Sequence, residues 1–361
     1  MTAPRWDTPI YHRDKHAKDF IAEYFGGADR HPMLICGAGF DPRAREAAKL
    51  LEAAAGSRLQ AHFIREDRPR PDPTMLAAAD ANEAELKALI PRNTVHHVAV
   101  FSDDEKTVVA GREMVRMFNS CTLDGVTDLV VDLSALSTGA SFPLVKYLFD
   151  KAQANPAFPN VHVLVASSPA TDDAVATELM DHPILVPGFG EQFALYEGAS
   201  KPKLWLPQLG KRAAGALDMI VRRMRAETSY EICPILPFPA GSPRAVEELV
   251  EAFQQEIDEA WLVDDRDFLY AAEDDPLDLY RTILRIDTLR GATYAIEGGS
   301  ITVLSPLGTK VMALGALLAA LERDLPIMYV ETLRYKMVKA PQGDSYGLVH
   351  LWLTGEAYPK P

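Results

Sequence analysis

The chain contains 361 residues, 48% of them hydrophobic and 24% charged, and carries a net charge of −14 at pH 7. That length exceeds one typical hydrophobic core and predicts two domains of about 150–200 residues each. The acidic balance argues against a broad basic surface, so we expect neither duplex nucleic acid nor an anionic membrane as a partner.

The cysteines and the N-terminus both indicate a cytoplasmic protein. Cys36, Cys121 and Cys233 are odd in number and far apart, which argues against a disulfide framework and against a structural zinc site. The first 20 residues carry charges where a signal peptide needs an apolar stretch. The longest apolar run, residues 311–321, is too short to span a bilayer.

Short apolar runs, each followed by a helical pattern, recur in both halves of the chain. Four of the five offsets between the halves lie between 170 and 173 residues, and the last is 166. This pattern predicts an α/β fold of two tandem Rossmann-like domains with mostly parallel sheets and an internal duplication. The runs open at Met33, Leu59, His96, Asp128 and Val161, and again at Lys203, Tyr230, Asp267, Ile301 and Ile327.

Stretches rich in proline and glycine divide this plan into four segments. We predict an N-terminal helical extension over residues 1–30 and a first Rossmann-like domain over residues 31–168. A linker over residues 169–202 and a second Rossmann-like domain over residues 203–361 follow.

Hydrophobic periodicity also predicts individual elements within these segments. Helices are expected over residues 83–90, 105–119 and 172–180. The tail at residues 346–353 is expected to form an extended edge of the second domain.

The segment SPLGTK, residues 305–310, lies between a predicted strand and a predicted helix. After Ser305, Gly308 allows a ligand to approach closely, and Thr309 offers a hydroxyl group at the start of the helix. Lys310 adds a cation beside exposed N–H groups, a combination that suits an anion. The alternative is an ordinary turn with a solvated lysine.

The segment GAGFDP after the first strand begins like a dinucleotide fingerprint, with Gly37 and Gly39 in the turn. Proline at the sixth position and Asp41 at the helix N-terminus depart from that pattern, because a pyrophosphate needs bare N–H groups. The alternative is a tight turn with Asp41 as the helix cap. Arg43 could still bind a phosphate.

Three further candidates for ligand binding follow the fourth predicted strand, and one ends the fifth. Asp132 ends the fourth strand, and Ser134 and Thr138 come after it. These groups could bind a ribose or a phosphate, or they could cap the next helix. Ser167 ends the fifth strand, at a good place for a ligand contact.

An acidic pair follows the third predicted strand in each half. Asp103 with Asp104, and Asp274 with Asp275, are weak candidates for Mg²⁺ ligands if the protein is an enzyme, and otherwise cap helices. No catalytic residue is assigned, because the chain contains neither GxSxG nor HExxH. The pair at residues 96–97 is expected to begin a strand rather than to bind a metal.

Residues 305–319, SPLGTKVMALGALLA, resemble the ligand loop of CARF domains. That loop runs like TGGTK followed by a helix with methionine and small residues; Gly308, Thr309, Lys310 and Met312 match it, whereas residues 306–307 depart from it. CARF domains are Rossmann-like sensors of cyclic oligoadenylates in prokaryotic antiviral systems, and the related SAVED domain fuses two such halves. The resemblance implies a ligand that contacts residues 305–310 and 134–139, and a separate effector protein.

The leading hypothesis is a cytosolic protein that binds or senses a small anionic nucleotide, in an antiviral defence system. One alternative is an enzyme that processes a nucleotide or a sugar nucleotide between two Rossmann-like lobes. Another is a scaffold that binds a basic partner through residues 256–278, which contain ten acidic residues and one arginine.

Overall fold

The structure is a computed structural model that describes residues 4–172, 174–190, 201–211, 213–225, 230–338 and 346–358. The chain forms two compact units. The larger unit comprises Asp7–Glu178 and Thr332–Pro361, and the smaller unit comprises Met1–Trp6 and Leu179–Glu331. No helix in the described ranges has both the length and the apolar character needed to cross a bilayer.

A seven-stranded sheet forms the centre of the larger unit, in the order β1-β16-β6-β5-β2-β3-β4. The five strands from β6 to β4 are parallel, whereas β16 pairs antiparallel with both β6 and β1. Two further strands, β7 and β15, form a separate ribbon. The strands are β1 Tyr11–Arg13, β2 Pro32–Gly37, β3 Gln60–Asp67, β4 Asn93–Ala99, β5 Asp128–Asp132, β6 Asn160–Ser167, β7 Val175–Leu179, β15 Thr332–Met337 and β16 Gly347–Thr354.

Helices α1, α2 and α3 share one hydrophobic core with this sheet, as the apolar faces of these segments predict. Phe25 of α1, Leu51 of α2 and Leu86 of α3 are buried in it together with Leu34 and Phe63 of the strands. The helices of the larger unit are α1 Asp14–Gly26, α2 Ala44–Ala55, α3 Pro73–Leu89, α4 Ala110–Asn119, α5 Thr138–Ala154 and the short α6 Pro169–Asp172.

The smaller unit contains parallel strands, with β9 between β10 and β13. β11 pairs with β12, and parallel bridges join Gln208 to Ile235 and Leu304 to Ile327. The strands are β8 Ile184–Leu185, β9 Lys203–Pro207, β10 Tyr230–Ile232, β11 Ile235–Pro237, β12 Leu269–Ala271, β13 Ile301–Ser305 and β14 Met328–Tyr329. The helices are α7 Ala214–Arg225, α8 Ala245–Ala252, α9 Pro276–Thr293 and α10 Lys310–Arg323.

Both units are therefore α/β, with the same order of parallel segments. In the larger unit the order is β6-β5-β2-β3-β4. In the smaller unit the corresponding positions are taken by Ile327, which bridges to β13, then by β13 and β9, then by β10 together with β11, and finally by β12. The α/β fold class is confirmed. The internal duplication stays a prediction, with which the shared strand order agrees.

The domain prediction was wrong for the two ends of the chain. Residues 346–353 were expected to form an edge of the second domain, but β16 lies inside the sheet of the larger unit, between β1 and β6. Its residues after Gly347 are buried, which explains their nearly continuous apolar character. Residues 4–6 belong to the smaller unit rather than to an N-terminal extension of the first domain.

Three predicted helices also differ from the structure. α3 begins at Pro73 rather than residue 83, because the Asp72 carboxylate caps it by accepting the N–H of Thr74 at 2.9 Å. α4 begins at Ala110 rather than residue 105, because residues 101–108 close a hairpin. The predicted helix at residues 172–180, in the linker, is replaced mainly by β7, which pairs with the distant β15.

A line of polar side chains crosses four neighbouring strands of the larger sheet. Nδ1 of His12 lies 3.2 Å from Nδ1 of His350, whose Nε2 lies 3.1 Å from Nδ1 of His162. Nε2 of His162 lies 3.3 Å from a carboxylate oxygen of Asp128. One direction of donation, from His12 towards the carboxylate, satisfies all three contacts with neutral imidazoles.

Burial sets the protonation of this line. His162 and His350 are fully buried, and burial lowers the pKa of both imidazoles, against the opposing effect of Asp128 on His162. Burial also disfavours the charge of Asp128, but hydrogen bonds from His162, Thr127 and Asn160 outweigh it and lower the pKa of that carboxyl to about 2. The line therefore carries one negative charge and neutral histidines at neutral pH.

Acid should destabilise the protein through this line. His162 and His350 have lower pKa values in the folded than in the unfolded state, so the unfolded state binds more protons as the pH falls below about 6.5. The contribution of this line to the free energy of unfolding should then fall by about 1–2 kcal/mol per pH unit. Urea unfolding between about pH 7.5 and 5.5 measures this slope. The slope should become shallower in His350→Gln and stay unchanged in the control His182→Gln; equal slopes in all three proteins would contradict this assignment.

Candidate functional site

The loops after β2 and β5 meet at the carboxyl edge of the larger sheet. β2 and β5 are adjacent and parallel, yet the chain proceeds from β2 to β3 on one side and from β5 to β6 on the other. Ligands of open α/β sheets bind at such a change of direction, because the loops diverge there. Gly37 ends β2, and Gly39 and Asp41 follow it; Asp132 ends β5, and Ser134 follows it.

Asp132 is the most unusual ionisable group at this edge. Its side chain is fully buried, and one carboxylate oxygen accepts hydrogen bonds from the N–H of Ser134, at 2.9 Å, and from the Ser134 hydroxyl. Burial raises the pKa of Asp132 to about 7, the bonds from Ser134 oppose the rise, and the charge of Asp41 adds to it. A carboxyl group of this pKa is half protonated near neutral pH, so it can donate a hydrogen bond.

Arg43 lies close to Asp132 but is already neutralised. Its guanidinium is buried and forms a two-bond contact with the Asp41 carboxylate, at 3.0 and 2.7 Å. The Asp172 carboxylate lies 2.8 Å from Nη1 of the same side chain. Arg43, the predicted phosphate ligand, is therefore already shared by two carboxylates. The Asp41 carboxylate also accepts the backbone N–H of Arg43.

Glu66 at the end of β3 reaches the N-terminus of α5. Its carboxylate accepts the N–H of Ser137 at 2.7 Å and contacts the Arg68 guanidinium at 2.8 Å. Ser137 is the N-cap residue of α5, but its hydroxyl does not cap the helix. Thr138, the first residue of this helix, is half-buried at the same edge. A negative charge beside the positive end of the helix dipole is stabilising.

Gly37, the last residue of β2, and Gly39, which follows the strand, have different surroundings. A Cβ atom on Gly37 would lie 3.0 Å from the carbonyl oxygen of Ala135, so the glycine lets the loops after β2 and β5 pack closely. A Cβ on Gly39 would have no heavy atom within 4 Å. The carbonyl of Gly39 accepts a bond from the Asn82 side chain at 2.8 Å. A side chain or a ligand thus has space beside Gly39 but not beside Gly37.

Several buried polar atoms at this edge have unused hydrogen-bonding capacity. Within the described part of the chain, Oδ2 of Asp132, Oγ of Ser137 and Oδ1 of Asn82 make no hydrogen bond. Such an atom costs about 1–3 kcal/mol when nothing pairs with it. Three of them in or against the loops after β2 and β5 indicate a site built for a polar molecule.

The aromatic ring of Tyr335 in β15 contacts two residues of this edge, Phe40 and Arg68. The ring of Tyr335 lies 5.1 Å from that of Phe40, which follows Gly39. The guanidinium of Arg68 lies 4.9 Å from the Tyr335 ring and donates to the carbonyl of Thr332. These contacts exclude water from one side of the site and strengthen its electrostatic interactions.

The other candidates from the first half lie at the same edge with different roles. The Ser134 hydroxyl accepts the N–H of Ala166 at 2.7 Å in addition to its bond to Asp132, so it joins the loop after β5 to β6. Ser167 ends β6 opposite Gly347 of β16.

Sequence reasoning missed Asn82 and Asp172. A polar residue at an apolar helical position, between Ala79 and Leu86, was the available signal for Asn82.

The loop after β13 in the smaller unit is mainly occupied with its own packing. The Ser305 hydroxyl is buried, accepts the indole N–H of Trp205 at 2.9 Å and donates to the carbonyl of Met328 at 2.8 Å. The Thr309 hydroxyl caps α10 by accepting the N–H of Met312 at 3.3 Å. This arrangement agrees with the ordinary-turn alternative for both side chains.

Gly308 and Lys310 complete that loop. A Cβ on Gly308 would lie 3.1 Å from Oε1 of Gln208, so the glycine is needed for close packing. Lys310 is half-buried at the first residue of α10. Their roles in ligand binding stay predictions.

One residue of each acidic pair makes local hydrogen bonds of a turn or a helix cap. Asp104 accepts bonds from the Ser102 hydroxyl at 2.6 Å and the N–H of Lys106 at 3.1 Å, within the hairpin that also contains Asp103. Asp275 caps α9 by accepting the N–H of Leu277 at 3.0 Å, and Asp274 precedes it. None of the four belongs to a described group of three or more mutually close metal-binding side chains.

Comparisons with known proteins leave the family of this chain open. No family model and no curated protein matches it. Among solved structures, one described as a universal stress protein of Pseudomonas aeruginosa UCBPP-PA14 is 12% identical, with 86% of this chain and 95% of that chain covered and a TM-score of 0.24. A cyclopropane-fatty-acyl-phospholipid synthase-like protein of Lactobacillus casei ATCC 334 is 14% identical, with 92% and 89% covered and a TM-score of 0.27. Scores this low carry no inference about function.

Replacing Asp132 by asparagine should stabilise the protein. The folded pKa of about 7 exceeds the unfolded value, so wild-type stability is lost as the pH rises from about 4 to about 7. Asparagine keeps an oxygen for Ser134 and never ionises, so Asp132→Asn should raise the free energy of unfolding at pH 8 by about 1–3 kcal/mol. Urea unfolding measures the gain, with the exposed Asp19→Asn as control. A loss of stability at pH 8 would contradict the buried, protonated carboxyl.

Proposed function

We propose that this protein binds a small anionic nucleotide at the carboxyl edge of the larger sheet, as a sensor. The observation that carries the proposal is the buried Asp132 carboxyl, with one oxygen held by Ser134 and the other available. A protonated carboxyl beside the Ser137 hydroxyl and the Asn82 amide suits the alternating donors and acceptors of a base edge or a ribose. The N–H groups in the first turn of α5 suit a phosphate.

The charges at this edge favour a particular kind of nucleotide. Arg43 and Arg68, the cations described above, already contact Asp41, Asp172 and Glu66. A triphosphate would therefore meet several carboxylates without an uncommitted guanidinium from either arginine, at a high electrostatic cost. A phosphodiester, with one negative charge for each phosphate, fits better.

The sensing role and the antiviral setting are the finer part of this proposal. They rest on the resemblance of residues 305–319 to the CARF ligand loop. A sensor of that kind acts on a separate effector protein, so the ligand should change the affinity of this chain for such a partner. A cytoplasmic location accompanies this role.

Calorimetric titration with adenosine monophosphate, ATP and a cyclic oligoadenylate tests the proposal. The cyclic oligoadenylate should bind most tightly. Ser137→Ala and Asp132→Ala should each weaken its binding about tenfold, because each removes a buried hydrogen bond worth about 1–3 kcal/mol. Asp132→Asn should bind within about threefold of wild type, because its amide donates as the protonated carboxyl does.

Lys310→Ala tests the other predicted location, the loop at residues 305–310, and should leave the affinity unchanged if the ligand binds at the larger sheet. Tenfold weaker binding in Lys310→Ala, together with wild-type affinity in Asp132→Ala and Ser137→Ala, would move the ligand to the loop at residues 305–310. Absence of binding by all three nucleotides would contradict the proposal.

A nucleotide-processing enzyme is the second candidate, and the pKa of Asp132 favours it. A carboxyl with a pKa of about 7 can both accept and donate a proton at neutral pH, as general acid–base catalysis requires. Turnover of a nucleotide that Asp132→Asn abolishes, while the variant still binds the substrate, would support an enzyme. Binding without turnover in the wild-type protein would support the sensor.

A further inference from the structure

A second group of chemically active side chains lies near β4, the edge strand of the larger sheet at the end opposite to β1. Nδ1 of His62 lies 2.8 Å from Nε2 of His96 and 3.6 Å from Sγ of Cys121. One ligand atom from each of the three side chains lies within 4.8 Å of the other two. Among the described residues, this is the only such group of three.

Parallel strand pairing and one helix end bring the three residues together. In the pairing of β3 with β4, His62 lies opposite Thr94. His96, two residues after Thr94 in β4, therefore has its side chain on the same face of the sheet as His62. Cys121 follows α4, and its N–H donates to the carbonyl of Phe118 at 2.9 Å. All three side chains are half-buried, and β4 is the outermost strand of the sheet, so an ion has a path to the group.

The distances are close to those that a tetrahedral metal centre requires. Zinc lies about 2.0–2.1 Å from imidazole nitrogen and about 2.3 Å from cysteine sulfur, so tetrahedral angles separate two nitrogens by about 3.3 Å and nitrogen from sulfur by about 3.6 Å. The distance of 3.6 Å between Cys121 and His62 meets this value directly. The two imidazole nitrogens, 2.8 Å apart, need to separate by about half an ångström.

We propose that His62, His96 and Cys121 bind a closed-shell thiophilic metal ion, Zn²⁺ or Cu⁺. On binding, the S–H bond of Cys121 breaks, a metal–sulfur bond forms, and the proton leaves to solvent. Each imidazole binds through one nitrogen and keeps its single proton on the other. No electron is transferred, and the fourth position of the metal stays available to water or another donor.

Burial sets the protonation states of these three side chains. Burial, followed by the neighbouring His96, lowers the pKa of His62 to about 4, and burial lowers the pKa of His96. Both imidazoles are therefore neutral and have lone pairs to offer a metal. Burial raises the pKa of the Cys121 thiol, so a metal ion has to displace the thiol proton when it binds.

Met117 distinguishes the two ions. Its thioether sulfur lies 3.7 Å from Sγ of Cys121, one helical turn before it. Thioethers bind Cu⁺ readily, whereas zinc sites use cysteine, histidine and carboxylate ligands. If copper is the bound ion, Met117→Leu should weaken its binding; if zinc is bound, the same change should have no effect.

Competition titrations of the full chain with Zn²⁺, and with Cu⁺ under reducing conditions, against chromophoric chelators test this proposal. One equivalent of at least one ion should bind. His62→Gln, His96→Gln and Cys121→Ser should each weaken that binding about 100-fold or more, because each removes a direct ligand. Co²⁺ should give a thiolate-to-metal absorption band that Cys121→Ser lacks, and this readout does not depend on affinity.

His97→Gln and Cys233→Ser are the matched controls, since each removes the same chemical group from outside the site. Both should bind the metal as wild type does, and circular dichroism should show that every variant is folded. Absence of a stoichiometric ion, or equal affinity in the ligand variants and the controls, would overturn the proposal. The metal site is independent of the nucleotide site, so Asp132→Ala should leave metal binding unchanged.

Discussion

The burial of one carboxyl group, that of Asp132, determines what the carboxyl edge of the larger sheet can do. A carboxylate taken out of water without a counter-ion takes up a proton instead, so the side chain becomes a hydrogen-bond donor near neutral pH. Arg43 could have prevented this, but Asp41 and Asp172 already share its charge. The loop after β2 therefore controls the chemistry at the end of β5.

That arrangement costs stability, as functional sites commonly do. The pairing of Gly37 with Ala135 closes the loops against each other, and Tyr335 shields part of the edge from solvent. The burial of Asp132, with the nearby charge of Asp41, maintains its raised pKa. In the same sheet, His162 and His350 are buried as neutral groups, so hydrogen bonds and the Arg30 guanidinium, 3.8 Å away, stabilise the charge of Asp128 at the end of the line.

The sequence was sufficient to predict the alternation of strands and helices, because buried parallel strands and amphipathic helices have different periods. It also placed Gly37, Gly39, Asp41, Asp132 and Ser134 at one sheet edge, since the loops after parallel strands share an edge. It could not predict that β16 returns to the larger sheet, because strand pairing across some 180 residues leaves no local signal. The spacing of the three cysteines argues against a structural zinc site, but the fold brings Cys121 to His62 and His96, which are distant from it in sequence. Ser305 and Thr309 have the sequence of a ligand loop, but Trp205, Met328 and Met312 bond to their hydroxyls.

The protonation of Asp132 in the folded protein tests this interpretation most directly. Carboxyl ¹³C chemical shifts, assigned with Asp132→Asn, can be followed from about pH 4 to about pH 9. A carboxyl that titrates near pH 7, and shifts when a nucleotide binds, is the expected result. A carboxyl that titrates below about pH 5, in the range of an ordinary exposed aspartate, would show that this edge holds a plain carboxylate and would contradict the proposed site.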